Sequence, residues 1–367
     1  MVWFLAGCQA HRSSFQAMKS MAEQSTPRGI IKQLLRGEPP PRPLLMPIIF
    51  SLGSKLESVG LRKFQSNPTK IANAMRQIRG TWKVDGLACY FDSFLEAEAL
   101  GCKREWHSDE SCELACPSFL GADDLRETCG ALDAISRKGQ IPVACDVLQR
   151  LKVMLKDEPA LMVRVTGPLT LASRLSGEQM QARNTASLLA QDLVEFASEV
   201  TAAVSKSFLE AGADVVFLRE SFFPEMATEL YGRWASLLAP IVNVIRFYEA
   251  LPVLLLGDSA LARVELASVV NRTWEGIWCP VLSCDVSHWG MWRSHGATPC
   301  LGLPSAVFGQ SHDLENSITS IKELVASQKP LLLTSRGDIS ATVDMKTFAT
   351  VLGSVREALL VGGSNRV

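Results

Sequence analysis

Polar side chains stand where short apolar runs end. Ser51 follows "MPIIF" and Asp92 follows "LACYF"; Glu220 and Ser221 follow "DVVFLR"; Asp258 follows "VLLLG" and Asp285 follows "PVLSC". Arg336 and Asp338 close "PLLLTSRGD", and Thr166 closes "ALMVRVT". Carboxylates and guanidinium groups in one place suit two kinds of chemistry: a fixed charge that stabilises an ionic intermediate, and the gripping of an anionic substrate. Arg336 at an apolar strand end needs an anion, whether Asp338, another rim acid or a substrate carboxylate. Each acid also has a plainer reading, because a carboxylate just after a strand caps the helix that follows. For Asp258 before "SALARVEL" and Asp285 before "VSHWGMW" the two readings stand level.

These residues need elements to position them. Eight apolar runs punctuate the chain, at 42–50, 85–92, 160–167, 213–220, 251–258, 278–285, 298–303 and 329–338. They are nearly continuous rather than alternating, so they read as strands covered on both faces, in a parallel sheet. Between them lie helical patterns: Leu193, Phe196, Val200, Val204 and Phe208 share a face, as do Phe348, Val351, Leu352, Val355 and Leu359. Ile318, Ile321, Leu324 and Val325 do the same, and 140–155 reads as mainly helix. Repeated strand–helix units in one chain of 367 residues predict an α/β fold, a (β/α)8 TIM barrel in a single domain. The expected barrel spans 29–365, with an irregular insertion at 101–139, and 1–28 form a flexible tail or a transit remnant. Barrel sites are built at the C-terminal ends of the strands, so every polar residue named above falls on one rim. The Arg336-Gly337-Asp338 triplet therefore reads as a strand end rather than a displayed adhesion loop.

Composition excludes several classes. A formal net charge of -1 gives no electrostatic reason for a nucleic-acid partner, and no stretch reaches the ~18 apolar residues of a membrane span. Ten cysteines are scattered without a CxxC, which suits thiols used as small apolar residues in an intracellular protein, with cytoplasm and plastid left open. "DESCELACPS" reads as a loop. The five histidines show no HExxH or HxH spacing, so no metal site is expected. No Gly-x-Gly-x-x-Gly or Walker loop follows a strand, and no cofactor is expected.

"LLRGEPPPRPLLMPIIF", "VDGLACYFDSFLEAEALGC", "VTGPLTLASRLSG" and "AGADVVFLRES" resemble, in order and spacing, the uroporphyrinogen decarboxylase family, which includes corrinoid-linked methyltransferases. The resemblance runs over roughly residues 30–360 and implies the same barrel. Its decarboxylase side works without metal or cofactor on a tetrapyrrole polycarboxylate, in porphyrin biosynthesis. There Asp92 would face the pyrrole N–H groups as the catalytic carboxylate. Ser51, Arg174, Glu220, Ser221, Asp258, Asp285 and Arg336 would bind the substrate, a small molecule, and homodimers are common on that side.

The sequence also departs from that pattern. The arginine-rich segment after strand one is replaced by "IIFSLGSKLESVG", leaving Lys55 as its cation. The family tyrosine falls at Arg174 and the family histidine near Arg336. On the methyltransferase side, the zinc-binding His-x-Cys falls on Leu256 and Asp258, and the later cysteine falls near Arg336. A divergent decarboxylase is the leading expectation. A corrinoid-linked methyltransferase-like protein, or a barrel that has lost catalysis and binds a ligand, are the alternatives.

Overall fold

The computed structural model describes residues 26–116, 122–130, 132–156, 158–176, 192–223, 227–273, 280–284, 286–296, 298–309, 314–328 and 331–361. Eight parallel strands form the sheet: β1 (Leu44–Leu45), β2 (Gly86–Tyr90), β5 (Ala160–Thr166), β6 (Val215–Glu220), β7 (Leu251–Leu256), β8 (Pro280–Cys284), β9 (Thr298–Leu303) and β10 (Leu332–Ser335). Two more, β3 (Lys103–Trp106) and β4 (Cys112–Ala115), make a separate antiparallel hairpin. The sheet order β1-β10-β9-β8-β7-β6-β5-β2 is chain order, and its two ends, β1 and β2, meet through Leu45 and Asp85. This is the predicted (β/α)8 barrel. Helices such as Pro68–Trp82, Ile141–Leu155, Asp192–Ala211 and Thr228–Phe247 cover its outside. The Asp192–Ala211 helix buries Leu193, Phe196, Val200, Val204 and Phe208, the face its spacing predicts.

The seam between β1 and β2 depends on one residue. The Asp85 N–H donates to the Leu45 carbonyl at 2.9 Å, and the Asp85 carboxylate accepts the Leu45 N–H at 2.8 Å. Arg42 then holds that carboxylate through both terminal nitrogens, at 2.7 and 2.8 Å. The same device recurs between β5 and β6. Asp214 donates its N–H to the Leu161 carbonyl at 2.8 Å, accepts the Leu161 N–H at 2.8 Å, and is gripped by Arg28 at 2.8 Å. Asp85→Ala would strip the Leu45 N–H of its acceptor and leave Arg42 without its partner. The expected loss is about 2–4 kcal/mol, read from urea unfolding. An unchanged midpoint would mean that backbone bonds alone hold the seam.

Three parts of the sequence reading change. The first run, 42–50, contributes only Leu44–Leu45 to the ladder, because Pro47 has no N–H to donate. Beyond it the Ile48 N–H turns to the Ser335 hydroxyl at 2.9 Å. The described residues of the insertion hold regular elements, the β3–β4 hairpin and helix Ala122–Cys129, where an irregular connection was expected. "DESCELACPS" is thus partly strand, and one of its cysteines is not simply a small apolar residue. Cys116 is joined to Cys102 by a disulfide, with Cα atoms 4.3 Å apart. Lys103 pairs with Ala115, so 102 and 116 are the next facing positions, a proximity that exists only once the hairpin register is set. No described helix is long and apolar enough to cross a membrane. Trp289 and Trp292, on helix Val286–Ser294, are buried, with the Trp292 indole donating to the Leu261 carbonyl at 2.9 Å.

Candidate functional site

Asp92 lies just beyond β2 at the C-terminal mouth and is buried. One oxygen accepts the Phe94 N–H at 3.1 Å, and the other is in a tight ion pair with Arg104, which the hairpin carries on β3. The side chains of Arg104 and Asp92 are only 6% and 4% exposed, so this pair is sealed from water. Arg104 also donates to Glu98 at 2.9 Å and to the Gln65 side chain at 2.8 Å. Burial opposes the charge on Arg104, but Asp92 and Glu98 outweigh it and hold the guanidinium above its ordinary range. The insertion thus closes over Asp92 and neutralises it.

Glu220 is fully buried and turned away from the mouth. It takes the Leu169 N–H at 3.1 Å, the Thr170 N–H at 2.9 Å, the Thr170 hydroxyl at 2.6 Å and the Trp234 indole N–H at 3.0 Å. It therefore caps, from the neighbouring strand, the first turn of helix Pro168–Leu175. The approach is so close that a Cβ on Gly167 would meet the Glu220 carboxyl carbon at 2.3 Å, so only glycine fits there. The Thr170 hydroxyl in turn accepts the N–H of Ser221 at 2.9 Å and of Phe222 at 3.1 Å, fixing the loop after β6. Glu96 plays a matching part: its oxygens accept the Thr166 N–H and hydroxyl, both at 2.7 Å. Burial raises the pKa of both glutamates, against the hydrogen bonds that lower it.

Several arginines gather at the mouth. Arg164 and Arg219 sit on β5 and β6, where Thr166 pairs with Arg219 and Arg164 with Phe217. Register partners on parallel strands share a face, so Arg164, Thr166 and Arg219 all point to the same side. Phe217 touches Phe91 edge-on at 5.5 Å beneath them. Arg174 donates to the Ser93 carbonyl and lies over the Phe94 ring at 5.6 Å, and Arg164 donates to the Ser93 hydroxyl at 2.6 Å. Arg219 donates to the Ser221 hydroxyl at 3.1 Å and reaches the Arg336 carbonyl at 3.0 Å. Arg164 and Arg219 were not among the expected site residues. Their signal was in the sequence, since each interrupts an otherwise apolar strand, "ALMVRVT" or "VVFLRE".

The Arg336-Gly337-Asp338 triplet is a strand end. The Asp338 carboxylate accepts the Phe50 N–H at 2.8 Å and the Ser51 N–H at 3.0 Å, and it is tightly bonded by the Ser51 hydroxyl. It stitches the loop after β10 to the loop after β1, so Ser51 is engaged by Asp338, and Arg336 is half-buried beside them. Burial raises the Asp338 pKa to about 6, against the bonds from Ser51 and Phe50. An acid raised in the folded state holds its proton more tightly there than when unfolded. Its contribution is therefore greatest below about pH 4 and falls as pH rises towards 6. Stability should drop by up to about 3 kcal/mol over that interval, and the drop should be shallower in Asp338→Asn. Parallel urea-midpoint curves for the two proteins would refute it.

Asp258 opens the short helix Asp258–Leu261 just after β7, and Asp285 lies outside the described residues. Of the expected set, the structure gathers Asp92, Arg174, Ser221 and Arg336 at the mouth, with Ser51 reached through Asp338. The zinc site implied by the methyltransferase resemblance does not fit. Leu256 is a buried apolar residue and Arg336 is a cation. Among the described residues no three His, Cys, Asp or Glu side chains stand together as a metal site.

A methylated-thiol–coenzyme M methyltransferase from Methanosarcina mazei is 26% identical over 132 residues, which cover 35% of each chain. The chain thus matches only about a third of that relative's length. A solved methyltransferase from Methanosarcina mazei superposes with a TM-score of 0.72 at 15% identity, over 90% of this chain and 98% of that one, and so shares the fold. The family model for uroporphyrinogen decarboxylase (URO-D) matches residues 26–259, more than half of the 367-residue chain. The chain belongs to the uroporphyrinogen decarboxylase family.

Proposed function

We propose that this chain works on the methyl-transferring side of its family, moving a methyl group from a corrinoid-linked donor to a small acceptor held at the barrel mouth. One observation carries the reading. A decarboxylase of this family would use Asp92 as an exposed negative charge against a cationic intermediate. Here that carboxylate is sealed under Arg104, while further guanidinium groups gather at the same end of the barrel. Positive charge suits the opposite task of stabilising an acceptor in its deprotonated form. A thiol is the natural case, because the thiolate is the nucleophile and neighbouring arginines favour it. In that step the sulfur–carbon bond forms as the donor–methyl bond breaks, and the thiol proton leaves to solvent. The methyltransferase relative supports the choice of acceptor class. Arg164, Arg174, Arg219 and Arg336 would hold the acceptor, with Ser221 positioning Arg219.

The test is a paired assay. Methylcobalamin and coenzyme M are incubated with the protein and the thioether is measured by mass spectrometry. Uroporphyrinogen is incubated anaerobically in parallel and its products are separated by number of carboxylates. Thioether formation that is lost in Arg219→Met supports the proposal. Stepwise loss of carboxylates would instead establish the decarboxylase reading, and no turnover of either would leave ligand binding as the role of the mouth.

A further inference from the structure

We propose that the Cys102–Cys116 disulfide is a redox latch on the β3–β4 hairpin. While it is closed the hairpin keeps Arg104 over Asp92, and a dithiol reductant that opens it exposes that carboxylate to solvent. The inference goes beyond the proposed function and holds whichever reaction occurs at the mouth.

Three observations carry it. The first is the isolation of the hairpin. Among the described residues β3 and β4 pair with each other and neither joins the eight-stranded sheet. Two strands of four residues each make a unit that is marginal in water by itself. Its stability therefore comes from cross-links and from side chains laid on the barrel.

The second is the position of the disulfide relative to Arg104. The His107 N–H donates to the Ser111 carbonyl at 3.0 Å, so 107 and 111 are a hydrogen-bonded pair. By alternation 105 with 113 and 103 with 115 are bonded pairs too. Cys102 with Cys116 and Arg104 with Leu114 then belong to the other class, whose side chains come close together on one face. That face is turned to the barrel. Cys102 and the Arg104 side chain are buried on it, while Lys103, Glu105, Glu113 and Ala115 are exposed. Latch and lid residue thus sit two positions apart on one strand.

The third is what the covalent bond does to opening. It joins positions 14 apart in sequence, so a hairpin that lifts off the barrel still has its strand ends held together. Once the bond is cut, the lifted state gains the freedom of the whole loop. On the chain-entropy account, closing a loop of this length shifts the opening equilibrium on the order of a hundredfold. Ties at the tip are surface contacts: the Arg62 N–H donates to the Asp109 carbonyl at 3.1 Å, and Arg62 lies over Trp106 at 5.8 Å. Cys116 is half-buried and Cys102 buried, so attack falls on the Cys116 sulfur. A thiolate of the dithiol bonds to it, and Cys102 leaves as a thiolate and takes a proton. The second thiol then displaces Cys116 as a thiol, and the reductant carries away the new disulfide with two electrons transferred.

The experiment compares the protein treated with oxidised glutathione and with dithiothreitol at one pH, using two readouts that need no substrate. In hydrogen exchange, the amides of Lys103, Glu105, Glu113 and Ala115 should quicken tenfold or more on reduction, while those of β5 and β6 stay unchanged. In labelling with a water-soluble carbodiimide and glycinamide, Asp92 should react at least tenfold faster after reduction. The buried Glu96 and Glu220 should stay unlabelled in both states. Cys116→Ser should behave as the reduced protein with or without dithiothreitol. Free thiols at 102 and 116 after oxidation overturn the proposal. So does a hairpin that quickens without any gain in Asp92 labelling, since the bond then guards no carboxylate. Equal acceleration of β5 and β6, or a Cys116→Ser protein that still responds to dithiothreitol, also overturns it.

Discussion

Replacing Arg104 with methionine is expected to destabilise the protein by about 3–5 kcal/mol, the usual consequence of removing one partner of a buried ion pair. The side chain that remains is close in length, so packing is largely kept and the loss reports the charge. Asp92 would stay buried with no cation, and Glu98 and Gln65 would lose their shared donor. The double variant Arg104→Met with Asp92→Leu should recover most of the loss, because an apolar pair of similar volume needs no counter-charge. The measurement is a double-mutant cycle in urea. A single-variant loss below about 1 kcal/mol would place the pair in the surface class instead. The same variant has a functional reading. If Asp92 were a working carboxylate masked by the hairpin, freeing it would create decarboxylation activity, whereas the proposed function predicts none.

Removing the Glu220 carboxylate, as Glu220→Ala, is expected to cost about 4 kcal/mol or more, since four buried donors lose their acceptor and a cavity opens. Glu220→Gln keeps one good acceptor oxygen and is expected to cost roughly half as much. The loss has an address. Hydrogen exchange should quicken at the Leu169 and Thr170 amides and at those of Ser221 and Phe222, which depend on the same threonine. Uniform acceleration across the barrel, with no excess at these four, would show that Glu220 is merely a buried side chain and not the clamp of the β5 and β6 loops. Because Ser221 positions Arg219, ligand affinity at the mouth should fall in step with that local loosening.

Much of this protein was written in local pattern. Continuous apolar runs such as "LPVLLL" and "ALMVRVT" have one stable use, a parallel strand buried on both faces, and their repetition in alternation with amphipathic helices leaves the barrel as the outcome. Strand ends could be located in the same way, and Asp92, Ser221 and Arg336 do follow β2, β6 and β10. What each polar group does there was not legible, because hydrogen-bond partners are distant in sequence. Glu220 finds its donors at Leu169, Thr170 and Trp234, and Asp338 finds its donors at Phe50 and Ser51. Asp92 is neutralised by an arginine from an insertion that sequence periodicity could not resolve into a hairpin. The spacing of apolar runs along the chain determined the fold, since which residues a strand or helix buries follows from its local period. Only the tertiary structure decided which charges are paired inside the protein and which stay at the mouth, since that depends on which strand ends and loops the barrel brings together.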